Sequence, residues 1–185
     1  KLTVSFYSLN INKSHLYNIL ATLASLSFFT DVSKIKKNIF LKFKSPSGRG
    51  DISKVKLQNK EIFLVDETYN SNPLSLKIAL ENYDKIEVKN SRKHLILGDM
   101  LELGKHSTKQ HKLISKIINK TKINQVYVIG KYMKKTFSAL KPNKKAKILN
   151  NKLDIFDLIN KDLNNNDYLM IKGSNSTGLH KISTN

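Results

Sequence analysis

The sequence predicts an α/β protein built on a mainly parallel sheet with helices on both faces. Three observations carry that reading. From Glu61 onward, short apolar runs alternate with amphipathic stretches of helical length. Each run ends on glycine or polar residues, at the carboxyl end of a strand where such sheets bind ligands. Upstream, SPSGRG (45–50) is the strongest breaker in the chain and separates a segment of different rhythm. The boundary is therefore placed there, giving one domain over 1–50 and another over 51–185.

In order, residues 2–11 alternate apolar and polar like a half-buried strand. Residues 15–29 carry Leu16, Ile19, Leu20, Leu23 and Leu26 at helical spacing, with Ser14 as N-cap. A second helix is expected over 32–40. Beyond the breaker, 52–57 and 61–65 read as two strands joined by residues 58–60. Further strands are expected at 94–98, 125–130, 146–149 and 167–173. The helices between them fall at 73–82, 107–120, 133–140 and 152–163. Pro73 suits a first helical turn, capped by Asn72.

Composition narrows the function. The chain has 185 residues and no cysteine, which excludes a disulfide scaffold, a thiolate metal site and a cysteine nucleophile. No apolar run is long enough to span a bilayer and no leader pattern is present, so a soluble cytoplasmic protein with no membrane partner is expected. In that setting the Asn12, Asn119 and Asn175 sequons are chance matches. The net charge is +19, from 33 Lys+Arg against 14 Asp+Glu. Only Arg49 and Arg92 are arginines, whereas surfaces that read bases or clamp phosphates favour the arginine fork. A dedicated nucleic-acid partner is not expected, although general attraction to polyanions follows from the charge.

Four stretches carry candidate chemistry. In VDETYNSNPLSL (65–76), Asp66 and Glu67 end a strand. Asp66 lies too early to cap the next helix, and it admits two readings, a turn or a ribose-binding carboxylate. Glu67 has no assigned role. LGDMLELG (97–104) brackets Asp99 and Glu102 between glycines; acid–base work is one reading and a solvated loop the simpler one. KGSNSTG (172–178) resembles a phosphate loop but fails the Walker pattern at Leu179 and His180. It reads either as an anion-binding helix start or as an ordinary capped one. Arg49, between two glycines, is placed to reach a phosphate or carboxylate. His94, His106, His111 and His180 have no metal spacing and read as surface residues.

Taken in order, KSHLYNILATLA (13–24), SPSGRG, VDETYNSNPLSL, LGDMLELG with Ser107 and His111 behind it, and IKGSNSTG (171–178) resemble the Mur ligase family. YNSNP followed by GDMLELG is similar to the branch that joins D-alanyl-D-alanine to a UDP-N-acetylmuramoyl-tripeptide in peptidoglycan synthesis. The resemblance implies that ATP phosphorylates a substrate carboxylate, that an amine attacks the acyl phosphate, and that magnesium organises the phosphates. It also implies that 1–50 is the end of a central ATP-binding domain and 51–185 a C-terminal domain with a Rossmann-like sheet. The phosphate loop, the magnesium ligands and the catalytic residues would lie upstream, so a fragment beginning at Lys1 is expected to be inactive alone.

Site residues follow from the same resemblance. His15 and Asn18 match the adenine contact, with Ser14 and His15 replacing the family's His and first Asn. Arg49 matches a phosphate contact, with Ser47 in place of a Pro. Asp66 matches the ribose acid, and Tyr69, Asn70 and Asn72 the loop beside it. Asn72 together with Asp99, Glu102, His111, Lys172 and Ser174 matches the dipeptide side. Asn175 replaces an Arg there, which predicts weaker dipeptide affinity. No metal ligand is expected within the chain, and a monomer is expected. The alternatives are a non-catalytic nucleotide- or polyanion-binding module, or a ligase of a sister branch.

Overall fold

A computed structural model describes residues 3–8, 13–42, 47–57, 59–151 and 153–174. The chain divides into two compact units between Pro46 and Ser47.

The first unit holds helix α1 (Lys13–Leu26). Of its apolar stripe, Ile19 is buried, Leu23 is half-buried, and Leu16, Leu20 and Leu26 are exposed. Two expectations fail in this unit. Residues 3–8 form no strand, because alternation makes a strand only where a neighbouring edge takes its backbone groups; Tyr7 N–H donates to Lys37 O at 2.9 Å, outside any ladder. The expected helix over 32–40 shrinks to one 3-10 turn at Val32–Lys34. Asp31 Oδ1 takes the Ser33 N–H and hydroxyl, and Ile35 is extended, which stops propagation.

The second unit holds β1 (Asp51–Leu57), β2 (Lys60–Glu67), α2 (Pro73–Lys85), β3 (Lys93–Gly98), α3 (Ser107–Ile118), β4 (Gln125–Ile129), α4 (Met133–Ser138), β5 (Lys145–Leu149), α5 (Leu153–Asp162) and β6 (Tyr168–Lys172). The six strands lie in the order β1-β2-β6-β3-β4-β5. β1 pairs antiparallel with β2, and every other neighbour is parallel. Successive residues point to opposite faces, so each central strand feeds two cores. Leu95, Leu97, Val126, Val128 and Met170 pack with α2, α3 and α4; Leu64, Ile96, Tyr127, Leu169 and Ile171 pack with α5. The helices thus cover both faces, as expected.

Two local devices keep this frame in register. Asn72 Oδ1 accepts from Ser75 N–H while Ser75 Oγ accepts from Asn72 N–H, a reciprocal cap ahead of Pro73. Behind the sheet, Tyr83 is buried on α2, and its hydroxyl donates to His94 O and Tyr168 O, tying that helix to β3 and β6. His94 is itself buried, not on the surface as expected. Its Nε2–H meets Asp167 Oδ2 at 3.2 Å, and burial pushes the imidazole's pKa down.

Candidate functional site

The parallel arrangement brings the carboxyl ends of β2, β3 and β6 side by side. The loops leaving β2 and β3 and the end of β6 line a cleft of about 540 Å³. Tyr69, Asn70, Ser71 and Asn72 come from the first, Leu101, Glu102 and Leu103 from the second, and Ser174 from the third. The structure therefore gathers five of the predicted site residues, Tyr69, Asn70, Asn72, Glu102 and Ser174, in one place.

The loop after β2 is built by its own polar groups. Asp66 is buried, and its Oδ1 accepts from Thr68 N–H at 3.0 Å and from the Thr68 hydroxyl at 2.6 Å. Its Oδ2 accepts no hydrogen bond among the described residues. Gly48, Arg49 and Gly50 run beside this turn: Gly50 N–H donates to Asp66 O and Tyr69 N–H to Gly48 O. Gly48 has φ +82°, and a Cβ there would stand 2.8 Å from Tyr69 N, so only glycine permits the approach. The Arg49 guanidinium lies 4.3 Å from the centre of the Tyr69 ring, a cation–π stack at the lip of the cleft.

Lys172 is buried beneath the loop. Its ammonium donates to Asn70 O at 2.9 Å, to Glu67 Oε2 at 3.2 Å and to Glu67 O at 3.4 Å. This gives Glu67, which sequence reasoning left without a role, a structural partner. Desolvation pushes the Glu67 carboxyl pKa up and the Lys172 ammonium pKa down, each against the attraction of the other. The pair is therefore costly to bury, and it is held because it also satisfies the loop's carbonyls.

The loop after β3 is held from both sides. His111 is fully buried, again not the surface residue expected. Its Nδ1–H donates to Ser107 O at 2.7 Å and its Nε2 accepts from Met100 N–H at 3.0 Å, which selects the neutral Nδ1-protonated ring. Ser174 Oγ accepts from Leu101 N–H, and Ser174 N–H donates to Asp99 O. The Asp99 carboxylate accepts from Met133 N–H at 2.7 Å and from Tyr132 N–H, across 34 and 33 residues, and so caps the start of α4. Asp99 and His111 thus spend these hydrogen bonds on backbone. Glu102 is exposed in the cleft lining with φ +65°, a conformation a non-glycine residue adopts only under constraint.

Sequence reasoning missed Ser71, Leu101 and Leu103 in the lining. Ser71 is buried and its Oγ lacks a hydrogen-bond partner among the described residues. Its signal was its place inside YNSNP. In the first unit, His15 is buried on α1 and Asn18 exposed. Asn175 and the rest of the KGSNSTG stretch beyond Ser174 lie outside the described residues. Among those described, no three His, Asp or Glu side chains are grouped to hold a metal ion, and no helix is long and apolar enough to cross a membrane.

The family model described as Mur ligase, glutamate ligase domain, matches residues 52–175. The chain belongs to the Mur ligase family. It is 33% identical over 136 residues to the UDP-N-acetylmuramoyl-tripeptide–D-alanyl-D-alanine ligase of Rickettsia prowazekii (strain Madrid E), covering 73% of this chain and 29% of that protein. The Bacillus subtilis (strain 168) protein of the same name is 25% identical over 181 residues, covering 96% and 39%. The fold matches a crystal structure of the MurF ligase of Thermotoga maritima in complex with ADP, with TM-score 0.73, 20% identity and coverage of 97% and 38%. A MurF structure from Acinetobacter baumannii matches with TM-score 0.71, 19% identity and coverage of 94% and 37%. The chain spans less than half the length of these Mur ligases.

Proposed function

We propose that this chain is the C-terminal portion of an ATP-dependent ligase that joins D-alanyl-D-alanine to a UDP-N-acetylmuramoyl-tripeptide through an acyl phosphate, in the cytoplasmic part of peptidoglycan synthesis. The observation that carries the proposal is the cleft where YNSNP, MLELG and Ser174 converge. Its polar groups suit a small zwitterion: amide and hydroxyl groups at Asn70 and Ser71, and a carboxylate at Glu102 for an ammonium.

The residues at its edge fit a nucleotide. Asp66 is fixed by Thr68 through Oδ1, which leaves Oδ2 to accept from a ribose hydroxyl. Arg49 presents a planar guanidinium that matches phosphate oxygens, pre-positioned on Tyr69. Bound ATP with magnesium would supply the phosphoryl group that activates the acceptor carboxylate. The adenine contact at His15 and Asn18 rests on the family resemblance. Lys172 and His111 serve the site from behind, by holding the backbone of its two loops, and Asp99 ties the second loop to the start of α4.

The test uses the parent ligase and the isolated chain together. The parent should release ADP only when tripeptide precursor and D-alanyl-D-alanine are both present, and the chain alone should release none. Asp66→Ala in the parent should raise the KM for ATP about tenfold, the worth of a hydrogen bond to a charged acceptor. ADP release by the isolated chain, or an unchanged KM in the variant, refutes the corresponding part of the reading.

A further inference from the structure

The charge of this chain is unevenly placed. Between Glu102 and Asp154 the sequence holds 14 lysines, no arginine and no acidic residue. That stretch builds α3, β4, α4 and β5, the edge of the sheet away from the β1–β2 hairpin. Two of the lysines are used internally: Lys144 is buried with its ammonium on Thr121 O and Ile123 O, and Lys145 donates to Ser138 O. Every lysine on α3 and α4 is exposed, and among the described residues none takes part in an ion pair.

These lysines frame a groove. Lys109, Lys112 and Lys116 stand at i, i+3 and i+7 on one face of α3. Lys135 faces them from α4, and two adjoining hollows of about 540 and 430 Å³ run between the helices. Leu113 and Ala139 line them, so an apolar floor lies inside a cationic rim.

We infer that the α3–α4 groove docks an acidic segment of another protein, with carboxylates on the lysine rim and aliphatic side chains on the floor. This surface lies outside the cleft and is independent of the ligase reading. An apolar centre with a charged rim is the anatomy of a protein interface. Nucleic acid fits less well, since the hollows have no aromatic ring for base stacking and no arginine for base edges. A bilayer is flat, and would meet the rim while leaving the recessed floor empty.

The experiment is equilibrium binding of the full chain to a Glu-rich helical peptide with Leu at i, i+3 and i+7, at about 0.15 M salt. The comparison probes are the same peptide with Leu→Gln, phosphatidylglycerol vesicles and duplex DNA. The Leu peptide should bind about tenfold tighter than its Gln counterpart. Lys112→Glu, Lys116→Glu and Lys135→Glu together should weaken it about tenfold, while Lys34→Glu, Lys36→Glu and Lys37→Glu, the same charge change in the first unit, should weaken it less than about twofold. The Lys→Gln triple at 112, 116 and 135 repeats the test without charge reversal, and unchanged melting shows that each variant folds. Equal losses from both charge-reversal sets, no preference for Leu, or tighter binding to vesicles or DNA through these lysines overturns the inference.

Discussion

Replacing Lys172 by Met should destabilise the second unit by about 3–5 kcal/mol at neutral pH. Lys172 is 2% exposed, and its ammonium contacts Glu67 Oε2, Glu67 O and Asn70 O. Met keeps the volume and removes every donor. Glu67 is then left as an uncompensated, mostly buried carboxylate, the costly way to break a buried pair. Asn70 O loses its 2.9 Å donor as well. At about 2–4 °C per kcal/mol, the melting point should fall by roughly 6–20 °C. Pairing Lys172→Met with Glu67→Leu should recover most of the loss, leaving about 1 kcal/mol for the stranded carbonyl. The pH dependence has a fixed sign. Burial already holds the Glu67 carboxyl pKa above its ordinary value, and removal of Lys172 raises it further. A raised folded-state pKa gives stability that is present below the unfolded value, about 4.3, and lost as pH rises through the folded value. The deficit of Lys172→Met should therefore shrink on acidification from pH 7 toward 4.5. Urea melts of the four members of the cycle at both pH values decide it. A single-variant loss under about 1 kcal/mol, additive single and double losses, or a deficit that grows in acid refutes the reasoning.

Three further substitutions probe the neighbouring loops. Gly130→Ala places a Cβ 2.5 Å from Asp99 Cγ at φ +114°, so it should expel the cap from α4 and cost about 3 kcal/mol in a denaturant melt. Asn72→Ala removes one half of the reciprocal cap before α2 and should cost about 1 kcal/mol by the same measurement. Glu102→Gly relieves the φ +65° residue and should stabilise the fold by up to about 1 kcal/mol, while raising the KM of the parent ligase for the dipeptide; a stabilised variant with unchanged KM would remove Glu102 from the site.

The sheet was legible because both of its faces are buried. Strand β3 was expected at 94–98 and lies at Lys93–Gly98; β4 was expected at 125–130 and lies at Gln125–Ile129. An apolar run that short, flanked by glycine and polar residues, has few other places to go in a parallel sheet. The strand expected over 2–11 is absent over the described residues 3–8, and the helix over 32–40 was misread, because local pattern is a weak guide where neighbours decide. The strand-end positions of the site residues followed from topology alone, since parallel strands point their carboxyl ends the same way. The buried state of Lys172 and His111 was invisible, because its causes are Glu67, 105 residues away, and Met100, 11 away around a loop. The backbone partners of Asp99 were hidden for the same reason: the helix it caps begins 34 residues later.

These long-range bonds share one property. Lys172, His111, Ser174 and Asp99 bond mainly to backbone atoms of the two cleft loops and of the helix behind them. Of the side chains on the exposed lining, Tyr69, Leu101 and Glu102 rest on backbone fixed by others, while Asn70 and Asn72 also accept from the backbone of their own loop and helix start. Buried support and exposed lining thus fall on neighbouring residues of one motif, as with Asp99 and Glu102, while Asn72 takes part in both. A buried donor that holds a carbonyl acts in the free protein as much as in the complex, so its loss shows in melting and in exchange of the loop amides. A lining side chain meets its partner only in the complex, so its loss shows in KM. Loop geometry held this way lowers the ordering cost of whatever ligand enters the cleft.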